Sequence, residues 1–201
     1  AAGAVTFGDA LRLVRERGRL MGEAKGGTLA AVVGLEEAAV AAICAESGAE
    51  VANYNAPTQT VVGGTPEAVE KACALAKERG GRGLPVNVSG AFHTSLMAPS
   101  AEAFAVALNA ADVQEPGLTV IGNVSAQPLG CSEDIRADLE AQIRAPVRWY
   151  QSMNLLEAKG VKRVIELGPG RILTAQLKRS NPDLEAVSLD EAAALGATTN
   201  V

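Results

Sequence analysis

Histidine occurs once in 201 residues, at His93, and that scarcity limits the chemistry open to the chain. An imidazole-based metal centre needs several ligands, and the three cysteines, Cys44, Cys73 and Cys131, lie far apart, so a zinc site is not expected. An odd, scattered cysteine set also argues against a disulfide framework and for a reducing compartment. Cys44 and Cys73 fall on apolar helix faces and read as small core fillers. Aromatic residues make up 3% of the chain, with a single tryptophan, Trp149, so the core must be built mainly from Ala, Val, Leu and Ile. No uninterrupted apolar run approaches the roughly 18 residues of a membrane-spanning helix. Ala1-Ala2-Gly3-Ala4-Val5 carries no basic targeting segment and no initiator Met, which fits a start inside a longer polypeptide. A net charge of −5 makes nucleic acid a poor partner. Two catalytic signatures are missing as well. There is no Gly-rich dinucleotide fingerprint, and no G-x-S-x-G elbow; Gly130-Cys131-Ser132-Glu133-Asp134 comes nearest and fails at its last position.

What is present, 48% hydrophobic and 20% charged residues, belongs to a globular protein of one domain or two small ones. The first helix is expected from Thr6, its N-cap with Asp9 at N3, to about Ala24, before Gly26-Gly27. Ala10, Leu13, Val14, Leu20, Met21 and Ala24 form its apolar stripe, and Arg17 occupies the one gap. A guanidinium on a buried stripe needs a partner. Either Arg17 makes a structural ion pair, or its fork awaits a carboxylate or phosphate; spacing alone leaves both open.

Residues 28–88 then read as strand, helix, strand, strand, helix, strand: Thr28 to Leu35, Glu36 to Ser47, Ala49 to Asn53, Thr58 to Gly63, Pro66 to Arg79 and Leu84 to Val88. That order is the split βαβ, ferredoxin-like plan. A helix from Ser95 to Ala110 follows, then a strand at Leu118 to Asn123 and a helix at Ser132 to Ile143. A helical segment is expected from Pro146 to Lys159. Val161 to Leu167 reads as a buried strand, Gly168-Pro169-Gly170 as a βα turn, Ile172 to Lys178 as a helix and Val187 to Leu189 as a last strand. Strands alternating with helices imply a mainly parallel sheet. The expected class is therefore α/β: a core of residues 1–26 and 89–201 with a ferredoxin-like βαββαβ subdomain, 27–88, inserted.

His93 sits where the strand ending at Val88 turns into a helix, the place where α/β proteins keep their chemistry. A lone histidine is also commonly a satisfied structural residue. Ser89 and Ser95, which flank it, read as turn or cap residues rather than nucleophiles. Charge is uneven: residues 136–179 hold nine basic against four acidic side chains, +5, leaving −10 for the rest. That is either an ordinary solvated surface or a basic face for an acidic partner.

Five motifs occur in order: Arg15-Glu16-Arg17-Gly18-Arg19-Leu20-Met21, Asn53-Tyr54-Asn55-Ala56-Pro57, Gly90-Ala91-Phe92-His93-Thr94-Ser95-Leu96-Met97, Gln142-Ile143-Arg144-Ala145-Pro146-Val147-Arg148-Trp149 and Glu166-Leu167-Gly168-Pro169-Gly170. Together they resemble the acyltransferase family of malonyl-CoA:acyl carrier protein transacylases and the acyltransferase domains of fatty-acid and polyketide synthases. The resemblance implies a hydrolase-like sheet core, incomplete at its N-terminal side. It also implies that a G-Q-G stretch and a G-H-S-L-G elbow precede Ala1, so this chain by itself is expected not to transfer acyl groups. It makes His93 the general base, with the main-chain carbonyl of Gln142 orienting it. It makes Arg17 the fork for the malonyl carboxylate, Phe92 the residue that excludes a 2-methyl group, and Asn55 a pocket-lining residue. It implies no cofactor; the substrates would be malonyl-CoA and phosphopantetheinylated acyl carrier protein, the latter meeting the basic region. A monomer in the bacterial cytoplasm fits, and a plastid stroma fits as well. The alternatives are an acyltransferase for another extender unit, and a non-catalytic fragment that binds acyl carrier protein.

Overall fold

The computed structural model describes residues 1–189; residues 190–201, part of the expected core, lie outside the described residues. Helix α1 spans Phe7–Glu23 and opens on the predicted cap. Thr6 Oγ1 accepts the Asp9 N–H at 3.1 Å and donates to the Asp9 carboxylate at 2.6 Å. A cap of this kind contributes about 1 kcal/mol.

Strand β1 (Thr28–Val33), helix α2 (Glu37–Ser47), strands β2 (Glu50–Ala56) and β3 (Gln59–Gly64), helix α3 (Pro66–Glu78) and strand β4 (Arg82–Val86) follow in the expected order. They make one antiparallel sheet with strand order β2-β3-β1-β4. The period of two in β1 explains its two faces. Ala30 and Val32 join Val40, Ile43, Val69 and Ala72 beneath α2 and α3, whereas Leu29 faces Ala52 and Val61 on the opposite side. That second face is completed by Val86, Val88 and Phe92.

The remainder is a 3₁₀ turn (Ser95–Met97), α4 (Ala98–Asn109), β5 (Val120–Ile121), β6 (Pro128–Leu129), α5 (Ser132–Ala141), α6 (Trp149–Ala158), β7 (Arg163–Leu167), α7 (Ile172–Ser180) and β8 (Glu185–Leu189). Helices α1, α4 and α5 share a core of Leu13, Leu20, Met21, Met97, Phe104, Leu108, Ile135 and Ile143. β7 and β8 pair in parallel from Arg163–Glu185 to Leu167–Leu189, over Met153, Leu177 and Leu184.

Three expectations need correction. Val14 is 68% exposed and belongs to a surface row with Phe7 and Leu11, at i, i+4 and i+7; the buried stripe of α1 runs Leu13, Leu20, Met21. The strand expected at 118–123 is only two residues long, and it forms an antiparallel hairpin with β6. Outside residues 28–86, the parallel pairing among the described strands is β7 with β8. The helix expected from Pro146 begins only at Trp149. The Val147 N–H donates to Ala52 O and Val147 O accepts from the Tyr54 N–H, both at 2.9 Å, so this residue is held alongside β2. An N–H spent on a sheet edge cannot close a helical turn.

Candidate functional site

His93 is the one residue of its segment that a local rule would not choose. Its φ is +63°, in the left-handed region, where a side chain with a Cβ costs roughly 1–2 kcal/mol. Surrounding contacts hold it there. The His93 N–H donates to Ile143 O at 3.1 Å, and Nδ1 lies 2.6 Å from Gln142 O. A carbonyl oxygen only accepts, so Nδ1 carries the proton and Nε2 of the neutral ring keeps its lone pair.

Electrostatics favour that neutral ring. Burial pushes the His93 imidazole below its ordinary value of 6.5; the hydrogen bond to Gln142 opposes this, and the charge of Arg17 adds to it. Near neutral pH, His93 is thus poised to accept a proton at Nε2.

Arg17 enters from α1. Its Nη2 donates to Gln142 Oε1 at 2.8 Å, and burial lowers the guanidinium from its ordinary value without neutralising it. Gln142 therefore touches both groups: its main chain holds the histidine and its amide holds the arginine. Its side chain is itself steadied, Nε2 donating to Leu139 O at 3.2 Å. The structure brings together Arg17, His93 and Gln142, which lie 125 residues apart in sequence at the extremes.

Phe92 is half-buried and packs against both the α1–α4–α5 core and the second face of the small sheet. Asn55 is engaged by α7, its Oδ1 accepting from Gln176 Nε2 at 3.1 Å, so its recorded contacts tie β2 to α7 rather than to the histidine. Not all of the basic region is available to a partner. Arg136 donates from Nη1 and Nη2 to Leu108 O and Ala111 O, both at 2.8 Å, closing the end of α4. Arg148 lies over the Tyr54 ring at 5.2 Å, and Arg163 pairs with Glu185 at 2.9 Å. Arg144, Lys159, Lys162, Lys178 and Arg179 are exposed. Among the described residues, no group of three or more His, Cys, Asp or Glu is placed to hold a metal ion, and no helix is long and apolar enough to cross a membrane.

Sequence reasoning missed the second contact of Gln142, its side-chain Oε1 on Arg17, and the pin at Ile143, which is a main-chain carbonyl. Both depend on partners distant in sequence, and no local side-chain pattern reports them.

A carbonyl-oriented, neutral histidine beside a half-buried arginine fork defines a class of α/β protein, one equipped to activate a nucleophile next to a bound anion. Similarity narrows the class: residues 1–198 match the acyl transferase domain model, and the chain belongs to that family. It is 40% identical over 200 residues to the malonyl CoA-acyl carrier protein transacylase of Bacillus subtilis, covering 95% of this chain and 63% of that one. Its fold is similar to that of an acyl carrier protein S-malonyltransferase from Vibrio cholerae, with a TM-score of 0.93 and 37% identity over 98% of this chain and 67% of that one. A malonyl-transacylase in complex with its type II PKS acyl-carrier protein gives 0.91 and 36%, over 98% and 66%. The chain thus spans less than two thirds of the B. subtilis relative's length.

Proposed function

We propose that this chain carries the general-base and carboxylate-binding side of an S-malonyltransferase of fatty-acid biosynthesis, which moves malonyl from CoA to the phosphopantetheine thiol of acyl carrier protein. The observation that carries the reading is Gln142 joining His93 and Arg17. It sets a proton acceptor and a carboxylate fork on one support, as a dicarboxylic acyl group requires. The similarity to named malonyl transferases supports the same substrate.

In this reading a serine outside the 201 residues attacks the malonyl thioester while His93 Nε2 takes its proton. The CoA thiolate leaves and receives that proton from the imidazolium. In the second half His93 takes the proton of the pantetheine thiol, the thiolate attacks the seryl ester, and the serine oxygen is reprotonated. Arg17 holds the carboxylate in both halves through charge-assisted hydrogen bonds. Phe92, braced by two cores, limits room beside the α-carbon and so excludes a 2-methyl group, and Asn55 lines the acyl pocket at its β2–α7 side. No cofactor takes part. The exposed basic residues from Arg144 to Arg179 meet the acidic carrier protein, with Arg136, Arg148 and Arg163 spent on internal contacts. The protein acts as a monomer in the bacterial cytoplasm.

The architecture fits the same reading. Residues 27–88 serve as a ferredoxin-like subdomain inserted into a hydrolase-like core that, among the described residues, takes in 1–26 and 89–189. β7 and β8 are the start of that core's parallel sheet, and Ile165 and Leu167 of β7 lie exposed together with Ile172 at the start of α7, 76% exposed for Ile172. Apolar side chains left open next to a two-stranded sheet suit an added segment that carries the serine. The experiment compares malonyl transfer by the 201 residues with transfer by a polypeptide extended upstream to a G-H-S-x-G elbow. The extended protein is expected to transfer malonyl and the shorter chain not to; transfer at equal rates by both refutes the external serine.

A further inference from the structure

We propose that Glu50, at the start of β2, is a positioning residue that holds the His93 turn in place from the neighbouring sheet. Both oxygens of its carboxylate reach across to one residue: the Ser95 N–H donates to Oε2 at 3.0 Å, and the Ser95 hydroxyl donates to Oε1. Ser95 opens the 3₁₀ turn that leads into α4, and the preceding residue, Thr94, makes no side-chain cap. A helix start needs acceptors for its first N–H groups, and a carboxylate is well suited to supply one. Glu50 supplies it from 45 residues away.

The contact belongs to a larger cradle. Glu50 lies opposite Gly63 in the β2–β3 register. A Cβ at Gly63 would stand 2.8 Å from Thr94 Cγ2, so this strand end closes directly on the residue after the histidine. A Cβ at Gly27 would stand 2.6 Å from that of Ala91, and Thr94 Oγ1 donates to Ala91 O at 2.6 Å. The sheet thus grips 91–95 on one side, while Gln142 and Ile143 grip His93 on the other. A residue at φ +63° persists only where its surroundings fix it, and Glu50 contributes the charged part of that fixation.

The proposal rests on the reading of His93 as a base, and the test separates the two. His93 is the single histidine, so its ring signals in a ¹H–¹⁵N NMR titration of the 201-residue chain belong to it alone. The charged group already acting on the ring is Arg17. In Glu50→Ala the titration is expected to move up toward the ordinary 6.5, and the Nδ1–H tautomer to lose its dominance. Glu50→Gln, which keeps an acceptor for the Ser95 N–H, is expected to restore most of both. Ser95→Ala, at an exposed site, is expected to shift them in the same direction by less. Unchanged His93 signals in both Glu50→Ala and Ser95→Ala overturn the proposal. In the extended enzyme Glu50→Ala is expected to lower kcat by roughly tenfold or more with KM for malonyl-CoA unchanged, as misplacing a reacting group does. A titration that moves while kcat stays at the parent value keeps the role of Glu50 and refutes His93 as the base.

Discussion

Replacing Arg17 by alanine in the extended enzyme tests the substrate assignment most directly. Arg17 is half-buried, and its described hydrogen bond uses Nη2, donated to Gln142 Oε1 at 2.8 Å. Held this way, the fork keeps its orientation while presenting further donors to a carboxylate. A hydrogen bond to a charged group contributes about 1.5–3 kcal/mol net, so losing a two-pronged contact costs about 3 kcal/mol or more. That is on the order of a 10²-fold fall in kcat/KM for malonyl-CoA. Acetyl-CoA has no carboxylate to hold, and its transfer is expected to change by only a few-fold. The folded state bears a smaller cost, about 1 kcal/mol for the acceptor left on Gln142. Transfer of [¹⁴C]malonyl and [¹⁴C]acetyl groups to carrier protein, with thermal unfolding as control, reads both effects. Equal losses for the two acyl groups would refute the carboxylate role and leave Arg17 a structural residue.

Gln142→Ala keeps the carbonyl that faces His93 and removes the amide that steadies Arg17. It is expected to raise KM for malonyl-CoA by roughly tenfold, the worth of about one hydrogen bond, with kcat little changed; a fall in kcat at constant KM refutes the split. The acid limb of kcat/KM is expected below 6.5, because burial lowers the His93 value; a limb above 6.5 contradicts the neutral-base assignment. The same shift sets a stability trend. The unfolded chain binds the His93 proton more readily than the folded one, so between the lowered value and 6.5 stability rises with pH. That contribution is complete above 6.5 and lost on acidification. Urea unfolding at several pH values, compared with His93→Asn, which tolerates the left-handed backbone, is expected to show a flatter dependence in the variant; a steeper one refutes the sign.

Much of the fold is legible in the sequence because its signals are local. Thr6 with Asp9, and Thr65 with Pro66 at the first turn of α3, mark helix starts through side chains that bond neighbours three residues on. The βαββαβ order of 28–86 follows from short apolar runs broken by Gly48, Pro57 and Gly80, two of which, Gly48 and Gly80, take positive φ. Errors arise where a distant partner overrides the local signal. Val147 lies in a helix-compatible run but spends its N–H and C=O on β2. Val14 fits the α1 stripe by spacing alone, yet Leu13, Leu20 and Met21 take the buried side and leave Val14 outside.

The site divides along the same line. Arg17 stands out by a broken pattern, a charge on an apolar stripe, and His93 by its uniqueness at a strand-to-helix junction. Both are conflicts between a residue and its local setting, the kind of conflict a fold tolerates where other contacts compensate. The compensating residues conform locally and so stay silent. Gln142 closes α5 as a routine polar C-cap, Ile143 is an ordinary core residue, and Glu50 begins a strand. What they supply is main-chain carbonyls and one carboxylate aimed at a loop 45–50 residues away. Such positions are set by the approach of the four-stranded sheet to the 142–148 segment, whose Val147 is stitched to β2 and whose Gln142 and Ile143 hold the histidine. One short connecting stretch thus fixes the sheet and the His93 turn together. A change that slid β2 along Val147 would therefore disturb His93 without touching it, which no reading of residue types along the chain could reveal.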